Sequence, residues 1–154
     1  MKKILYYIIA MKLIVKNNSD VNKFNNNFKS GCWLVFFFAP WCGHCNDFMP
    51  KWDEYVNKYA KYQKGLNVAA IQDDMIGKVR PQKEVNGFPT IKMFMKTKEL
   101  DTFENQERTP ENLKLFSESN LNKILNRLKS KKSKKSKKKR KSKKKKNKNV
   151  FKII

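Results

Sequence analysis

Two cysteines separated by two residues are the part of this chain with the clearest chemistry. They belong to the motif Trp41-Cys42-Gly43-His44-Cys45, which follows an apolar stretch and precedes a predicted helix. Thiols at this spacing can close a small ring as a disulfide, and the N-terminus of a helix favours the thiolate form of the first thiol. Because the thiolate is the species that attacks a disulfide, the motif indicates thiol–disulfide exchange.

Cysteine usage argues against two other kinds of chemistry. The chain has three cysteines, Cys32, Cys42 and Cys45, which are too few for the disulfide framework of a small secreted domain. A zinc site would need four ligands, and only Cys32 and the single histidine, His44, are left to join the pair. His44 lies inside the pair, where it cannot easily complete a shared tetrahedron. We therefore expect no metal and no other cofactor, and we interpret Cys32 as a core residue.

The motif is expected to lie between a buried strand and a helix. Residues 32–39 form an uninterrupted apolar, largely aromatic run, which is typical of a central strand buried on both faces. A helix is predicted from about residue 42 to residue 63, because apolar side chains recur on one of its faces. Pro50 lacks the N–H that the helix ladder needs, so we expect it to kink this helix.

The rest of the chain continues the alternation of strands and helices. Asn18-Ser19-Asp20 supplies the N-cap candidates for one helix, and the last helix is predicted to begin at Pro110 with Thr109 as its N-cap. The buried face of this last helix is expected to contain Leu113, Phe116, Leu121, Ile124, Leu125 and Leu128. Further strands are predicted at 13–15, 67–71 and 90–95, with 99–104 completing a hairpin and 76–85 forming a short helix or loop. This order implies an α/β layer structure.

The order of elements and three local motifs resemble the thioredoxin superfamily, most of all the catalytic domains of protein disulfide isomerases. The resemblance covers about residues 12–128. Its strongest part is Ala39-Pro40-Trp41-Cys42-Gly43-His44-Cys45, with Pro50 five residues after the second cysteine. Gly87-Phe88-Pro89-Thr90-Ile91 resembles the cis-proline loop of the family, and Arg108 lies where isomerase domains carry a mobile arginine. The resemblance implies a thioredoxin-like fold, with a central mixed sheet flanked by helices.

The residues of these motifs have complementary expected roles. Cys42 is the expected attacking thiolate, and Cys45, one turn deeper, the thiol that resolves the mixed disulfide. Gly43 allows a substrate backbone to approach, and His44 adds positive charge that favours the reduced form and raises the reduction potential. Pro89, if cis as the family implies, holds a backbone turn against the motif. The expected site residues are Trp41, Cys42, Gly43, His44, Cys45, Pro89 and Arg108.

One position departs from the family pattern. Members usually bury an acidic residue on the central strand six positions before the first cysteine, where it helps to move a proton off the deeper thiol, and here this residue is Phe36. The lysine that pairs with this acid in isomerase domains falls near Ala69 or Ala70. Both charges are therefore replaced by apolar residues, and we expect slower proton transfer at Cys45, with Arg108 or water substituting in part.

The C-terminal segment differs from the rest of the chain in composition. Of the 36 basic residues in a chain of net charge +23, 16 lie from residue 129 onward, where none of the 13 acidic residues is found. We expect residues 129–154 to be disordered in isolation. Within this segment, residues 129–148 are expected to bind nucleic acid, an anionic membrane or an acidic partner by releasing counterions, so binding should be salt-sensitive. A nuclear-localisation signal and a merely compositional tail are alternative interpretations.

The N-terminal segment leaves the compartment open. Residues 1–11 join Lys2 and Lys3 to a short apolar run, which is too short for a membrane-spanning helix of about 20 residues. This segment is interpreted either as a cleaved signal or membrane anchor, or as a strand extension or a chain that truly starts at Met11. A signal would indicate a secretory or endoplasmic-reticulum-like compartment; otherwise an intracellular location is expected, including the nucleus or a virion.

Two functions from different classes are therefore predicted. The leading one is a monomeric thiol–disulfide oxidoreductase of the oxidase or isomerase kind, acting on protein thiols and disulfides through Cys42 and Cys45 in a single domain, residues 12–128. The alternative is a polyanion-binding protein in which the basic tail anchors a thioredoxin-fold module on nucleic acid or a membrane surface.

Overall fold

Five strands form one mixed sheet in the order β1-β3-β2-β4-β5. The computed structural model describes residues 10–150, and side-chain surroundings within residues 10–134. The β1–β3 and β3–β2 pairs are parallel, whereas β2–β4 and β4–β5 are antiparallel. The strands are β1 (Lys12–Val15), β2 (Cys32–Phe38), β3 (Leu66–Gln72), β4 (Thr90–Met95) and β5 (Lys98–Thr102). The predicted strands are confirmed within one residue at each end, except that the last strand of the hairpin ends at Thr102 and not at residue 104.

The central strand β2 is buried on both faces, as predicted. Leu34, Val35 and Phe36 are each 0% exposed. Alternate side chains of β2 contact different helices, because successive residues of a strand point to opposite faces. Trp33 packs edge-on against the ring of Phe24 from helix α1 (Asn18–Phe28), while Phe36 packs against side chains of helix α2 (Gly43–Lys58).

The N-cap of helix α1 lies one residue before the predicted candidates. The N-cap is Asn17, whose side-chain oxygen accepts the backbone N–H of Asp20 at 3.0 Å. The predicted cap at Asn18, Ser19 or Asp20 is therefore wrong. Asn17 has the extended backbone that a cap requires, with φ −149° and ψ 173°. Several adjacent residues can cap, and only the backbone conformation selects among them.

Helix α2 is shorter than predicted. It begins at Gly43, with Cys42 as its N-cap, and ends at Lys58. A separate 3₁₀ turn covers Ala60–Tyr62, so the apolar pattern continues past the true helix end. Pro50 lies inside the helix, and the kink expected there stays a prediction.

The segment between β3 and β4 is mostly irregular. A short helix, α3, covers Asp73–Ile76 and ends where the sequence pattern placed the start of a short helix or loop. The Arg80–Pro81 and Phe88–Pro89 peptide bonds are cis. The second of these lies in the loop before β4, which contacts the dithiol motif.

The last helix, α4, covers Pro110–Val150. Thr109 is its N-cap as predicted, because its hydroxyl oxygen accepts the N–H of Asn112 at 3.2 Å. The helix continues through residues 129–150, which contain no glycine or proline and are rich in lysine and arginine, both good helix formers. The disorder expected for residues 129–154 in isolation stays a prediction. Residues 151–154 lie outside the described residues.

The chain divides into two compact units between Asn120 and Leu121, inside α4. The domain boundary expected at residue 128 stays a prediction. Leu113, Phe116 and Ile124 are buried as expected, but Leu125 and Leu128 are 52% and 43% exposed, which corrects the predicted buried face. An apolar helical pattern is buried only where another element covers it.

Among residues 10–150, no helix is long and apolar enough to cross a membrane. Most of the predicted N-terminal segment, residues 1–9, lies outside the described range.

Candidate active site

The dithiol motif lies at the junction of β2 and α2. The N–H of Cys42 donates to the carbonyl of Ala39 at 3.1 Å, which turns the chain from the strand into the helix. The Cys42 sulfur then caps the helix by accepting the N–H of Cys45 at 3.4 Å. Cys42 is half-buried and Cys45 is 0% exposed, and both thiols are free. The two sulfurs therefore occupy different environments within one helical turn.

Burial sets the acid–base behaviour of Cys45. It raises the pKa of this thiol to about 11, because a thiolate is poorly solvated there. The backbone of Ala39 and the positive charge of Arg108 act in the opposite direction, while the Cys42 side chain raises the pKa further. Cys45 is therefore protonated at neutral pH, and it must lose a proton before it can attack another sulfur.

The loop that contains Pro89 lies against the motif. The Cys42 thiol donates to the carbonyl of Phe88 at 3.7 Å. The Trp41 ring meets the Phe88 ring edge-on, with 5.9 Å between ring centroids. The indole N–H of Trp41 also donates to a carboxylate oxygen of Asp73 at 2.8 Å. Two segments that are 46 residues apart in the chain thus form one surface around Cys42.

Asp73 is a site residue that sequence reasoning missed. It lies at the start of α3, 32 residues from its hydrogen-bond partner Trp41. No local motif marks it, although its place just after the strand parallel to β2 offered a topological clue. The ends of parallel neighbouring strands meet at one edge of a sheet, so residues after β3 lie near those after β2.

Arg108 lies beside both halves of the site. It lines an open groove of about 740 Å³ together with Pro89, and a second groove of about 260 Å³ together with His44. Its side chain is exposed, and its positive charge acts to lower the pKa of the buried Cys45 thiol. The structure thus brings together all seven residues that the sequence singled out, at the surface where β2 ends.

Gly43 and His44 leave the surface beside Cys42 open. Both are exposed, and a Cβ atom built on Gly43 would meet no atom within 4 Å. The glycine is therefore not required by internal packing, and the free space lies on the outside of the site. Among residues 10–150, no cluster of three or more His, Cys, Asp or Glu side chains is arranged to hold a metal ion.

Cys32 lies at the opposite end of β2 from the motif. It is half-buried, and not the fully buried core residue that the sequence indicated, because it is the first residue of the strand. Burial raises the pKa of its thiol. The seven residues from Cys32 to Phe38 extend about 20 Å, so this thiol is remote from the dithiol pair.

The departure from the family pattern at Phe36 leaves an aromatic core beneath the motif. The Phe36 ring meets Phe48 edge-on at 5.0 Å between centroids and lies 5.3 Å from Trp52. Its direct neighbour on β3 is Ala70, which is 1% exposed. The register therefore selects Ala70, of the two alanines considered, as the partner of Phe36. Neither the Phe36 nor the Ala70 side chain has a group that can accept or donate a proton.

Replacing Phe36 by alanine should destabilise the protein by about 3–5 kcal/mol, because a fully buried ring is lost and its contacts with α2 leave a cavity. The control is Phe36→Leu, which keeps most of the volume and should cost less than about 1.5 kcal/mol. Urea denaturation followed by tryptophan fluorescence measures both free energies of unfolding. Equal losses for the two variants would show that the site collapses without a cavity.

Comparison with known sequences agrees with this geometry. The family model described as Thioredoxin matches residues 14–119. A protein disulfide isomerase-like 2-3 of Oryza sativa subsp. japonica is 45% identical over 85 residues, covering 50% of this chain and 18% of that protein. A sulfhydryl oxidase 1 of Rattus norvegicus is 39% identical over 67 residues, covering 42% and 9%. This chain thus spans less than a fifth of the length of these relatives.

Solved structures show the same architecture. The first thioredoxin domain of mouse protein disulfide-isomerase A4 superposes with a TM-score of 0.51 at 28% identity, covering 64% of this chain and 68% of that one. Oxidised thioredoxin from Plasmodium falciparum superposes with a TM-score of 0.52 at 24% identity, covering 70% and 95%, and supports the fold alone. The predicted thioredoxin-like α/β fold and its resemblance to disulfide isomerases are confirmed. The chain, with its dithiol at the start of α2, belongs to the thioredoxin family.

Proposed function

We propose that this protein is a thiol–disulfide oxidoreductase that exchanges disulfides with protein substrates through Cys42 and Cys45. The observation that carries the proposal is the asymmetry of the pair: Cys42 is accessible at the helix N-cap, whereas Cys45 is fully buried one turn deeper. An accessible sulfur can attack a substrate, and a buried one can act only on its neighbour. The relatives named as disulfide isomerases and a sulfhydryl oxidase support the same class of reaction.

The reaction starts at Cys42. Its thiolate attacks one sulfur of a substrate disulfide, the S–S bond breaks, and the other substrate sulfur leaves as a thiolate. The resulting mixed disulfide joins Cys42 to the substrate. At the start of α2, the helix dipole and the N–H of Cys45, 3.4 Å from the Cys42 sulfur, stabilise negative charge on that sulfur.

Cys45 completes the reaction. It loses its proton and attacks the Cys42 sulfur, which forms the Cys42–Cys45 disulfide and releases the substrate as a second thiolate. Two electrons have then passed from the protein dithiol to the substrate, and the reverse sequence oxidises a substrate dithiol. His44 lies close to Cys42 in the chain, and a positive charge on it favours the reduced form of the dithiol. We therefore propose that the protein oxidises or isomerises its substrates more readily than it reduces them.

The surface around Cys42 suits an extended polypeptide. Trp41 is 74% exposed, and its ring packs edge-on against that of Phe88. A polar groove is lined by Pro89 and Arg108. Apolar contact on one side and backbone hydrogen bonding on the other are how extended peptides are held. Substrate recognition in this proposal therefore depends on backbone and shape more than on one side-chain type.

A redox titration tests the proposal. The protein is equilibrated with glutathione buffers of graded potential, free thiols are alkylated, and the Cys42–Cys45 disulfide is quantified by mass spectrometry. We expect a potential between about −270 and −180 mV, nearer the upper value for an isomerase-like protein, together with catalysed reduction of insulin. A potential below about −300 mV without catalysis would identify a structural disulfide and overturn the proposal.

A further inference from the structure

The C-terminal part of α4 is a helix of unusual charge. Its residues 129–150 include fifteen lysines and arginines, no acidic residue and no aromatic residue. The side chains of residues 129–134 are all exposed. The Ser130 and Ser133 hydroxyls donate to backbone carbonyls three residues earlier, both at 2.9 Å, so these serines are accommodated within the helix. The helical backbone thus places the positions of fifteen basic residues along one axis.

The spacing of these charges matches that of a nucleic-acid duplex. Twenty-two helical residues extend about 33 Å, which gives roughly one positive charge per 2.2 Å of axis. Double-stranded DNA carries one negative charge per about 1.7 Å of axis. Like charges one helical turn apart also repel each other, so an anionic partner would stabilise the helical form of this segment.

Three properties favour duplex DNA over other polyanions. An interfacial membrane helix needs an apolar face, whereas Val150 is the one large apolar residue in the sequence of this segment. Single-strand binders stack bases on aromatic side chains, which this segment lacks. An α-helix about 10–12 Å across fits the major groove of B-form DNA, about 12 Å wide, but not the narrow major groove of an RNA duplex.

We propose that residues 129–150 bind double-stranded DNA in the major groove, through its phosphates and without sequence preference. Lysine makes point-charge contacts with phosphate, and such contacts position a protein on DNA but do not read the bases. The inference does not depend on the dithiol chemistry, so each can fail without the other.

Fluorescence anisotropy of the full chain with labelled 20-base-pair duplexes tests the proposal. Two unrelated DNA sequences should bind within about threefold of each other, and affinity should fall by about 10³-fold or more between 50 and 200 mM salt. A tail variant removes six charges by exchange of lysine for glutamine, which keeps helix propensity. We expect it to bind at least about 100-fold more weakly at 50 mM salt. The six positions are Lys131, Lys132, Lys134, Lys135, Lys137 and Lys138.

A matched control removes six exposed lysines from the thioredoxin unit and leaves the net charge equal to that of the tail variant. This control variant should lose less than about fivefold in affinity, because its six exchanged lysines are not on one helical segment. An equal loss in both variants would overturn the proposal, as would tighter binding to phosphatidylserine vesicles or equal binding to an RNA duplex at the same salt. Insulin reduction by the tail variant should be unchanged. The control positions are Lys16, Lys23, Lys29, Lys61, Lys64 and Lys98.

Discussion

Replacement of Cys42 by serine is expected to lower the turnover of a disulfide substrate by about 10³-fold or more. A serine hydroxyl supplies no thiolate, and Cys45 cannot substitute because it is buried and holds its proton, with a pKa of about 11. Insulin reduction in the presence of a thiol reductant measures the rate. Retention of more than a tenth of the wild-type rate would show that Cys42 is not the attacking sulfur.

Replacement of Cys45 by serine should have a different result from the loss of Cys42. Attack by Cys42 still occurs, but the mixed disulfide lacks its resolving thiol and accumulates as a covalent adduct with the substrate. Non-reducing electrophoresis detects this adduct. The matched control is Cys32→Ser, which removes a half-buried thiol at the other end of β2 and should leave both turnover and adduct level unchanged. An adduct formed equally by all three variants would indicate non-specific thiol capture.

Resolution of the mixed disulfide is expected to accelerate by about tenfold per pH unit, or about 100-fold from pH 7 to pH 9. Burial raises the pKa of Cys45 to about 11, so the reactive thiolate fraction grows with pH throughout this range. Phe36 and Ala70 occupy the buried positions where the family carries a proton-transferring pair, and neither can accept a proton. The deprotonation of Cys45 therefore depends on the bulk pH.

A coloured aromatic disulfide reagent measures this step directly. Attack by Cys42 releases one coloured thiolate, and attack by Cys45 on the resulting mixed disulfide releases a second. The slower phase should show the pH dependence, should vanish in Cys45→Ser and should persist in Cys32→Ser. A slow phase whose rate is the same at pH 7 and pH 9 would contradict the prediction, because the deprotonation of Cys45 would then not depend on the bulk pH.

Local sequence patterns predicted the central strand, the start of α2 and the N-cap of α4. The apolar run from Cys32 is long enough for one strand and has no polar side to expose, so burial on both faces was its physical consequence. Thr109 followed by Pro110 places a side-chain acceptor and a residue without an N–H where a helix begins. These features depend on residues a few positions apart, which is why a single sequence reveals them.

Features that depend on covering surfaces were predicted less well. Leu125 and Leu128 continue the apolar spacing of α4, yet they are exposed, because periodicity shows which residues share a face but not whether another element meets it. The helix continues to Val150 through a segment rich in good helix formers, and the disorder expected for residues 129–154 in isolation stays a prediction. In such a segment, repulsion between like charges opposes the helix, and the helix propensity of lysine favours it. Composition alone does not show which of the two effects is larger.

The sequence by itself indicated the chemistry proposed for the site, because two thiols at this spacing before a helix and a proline-containing loop are recognisable as residue types. Tertiary structure decided how the site is assembled. It placed the Phe88 carbonyl beside the Cys42 thiol, brought Asp73 to the Trp41 indole, and buried Cys45 so that the pKa of its thiol is raised. These contacts join residues 32 or more positions apart, and only the pairing order of the sheet determines which distant segments meet.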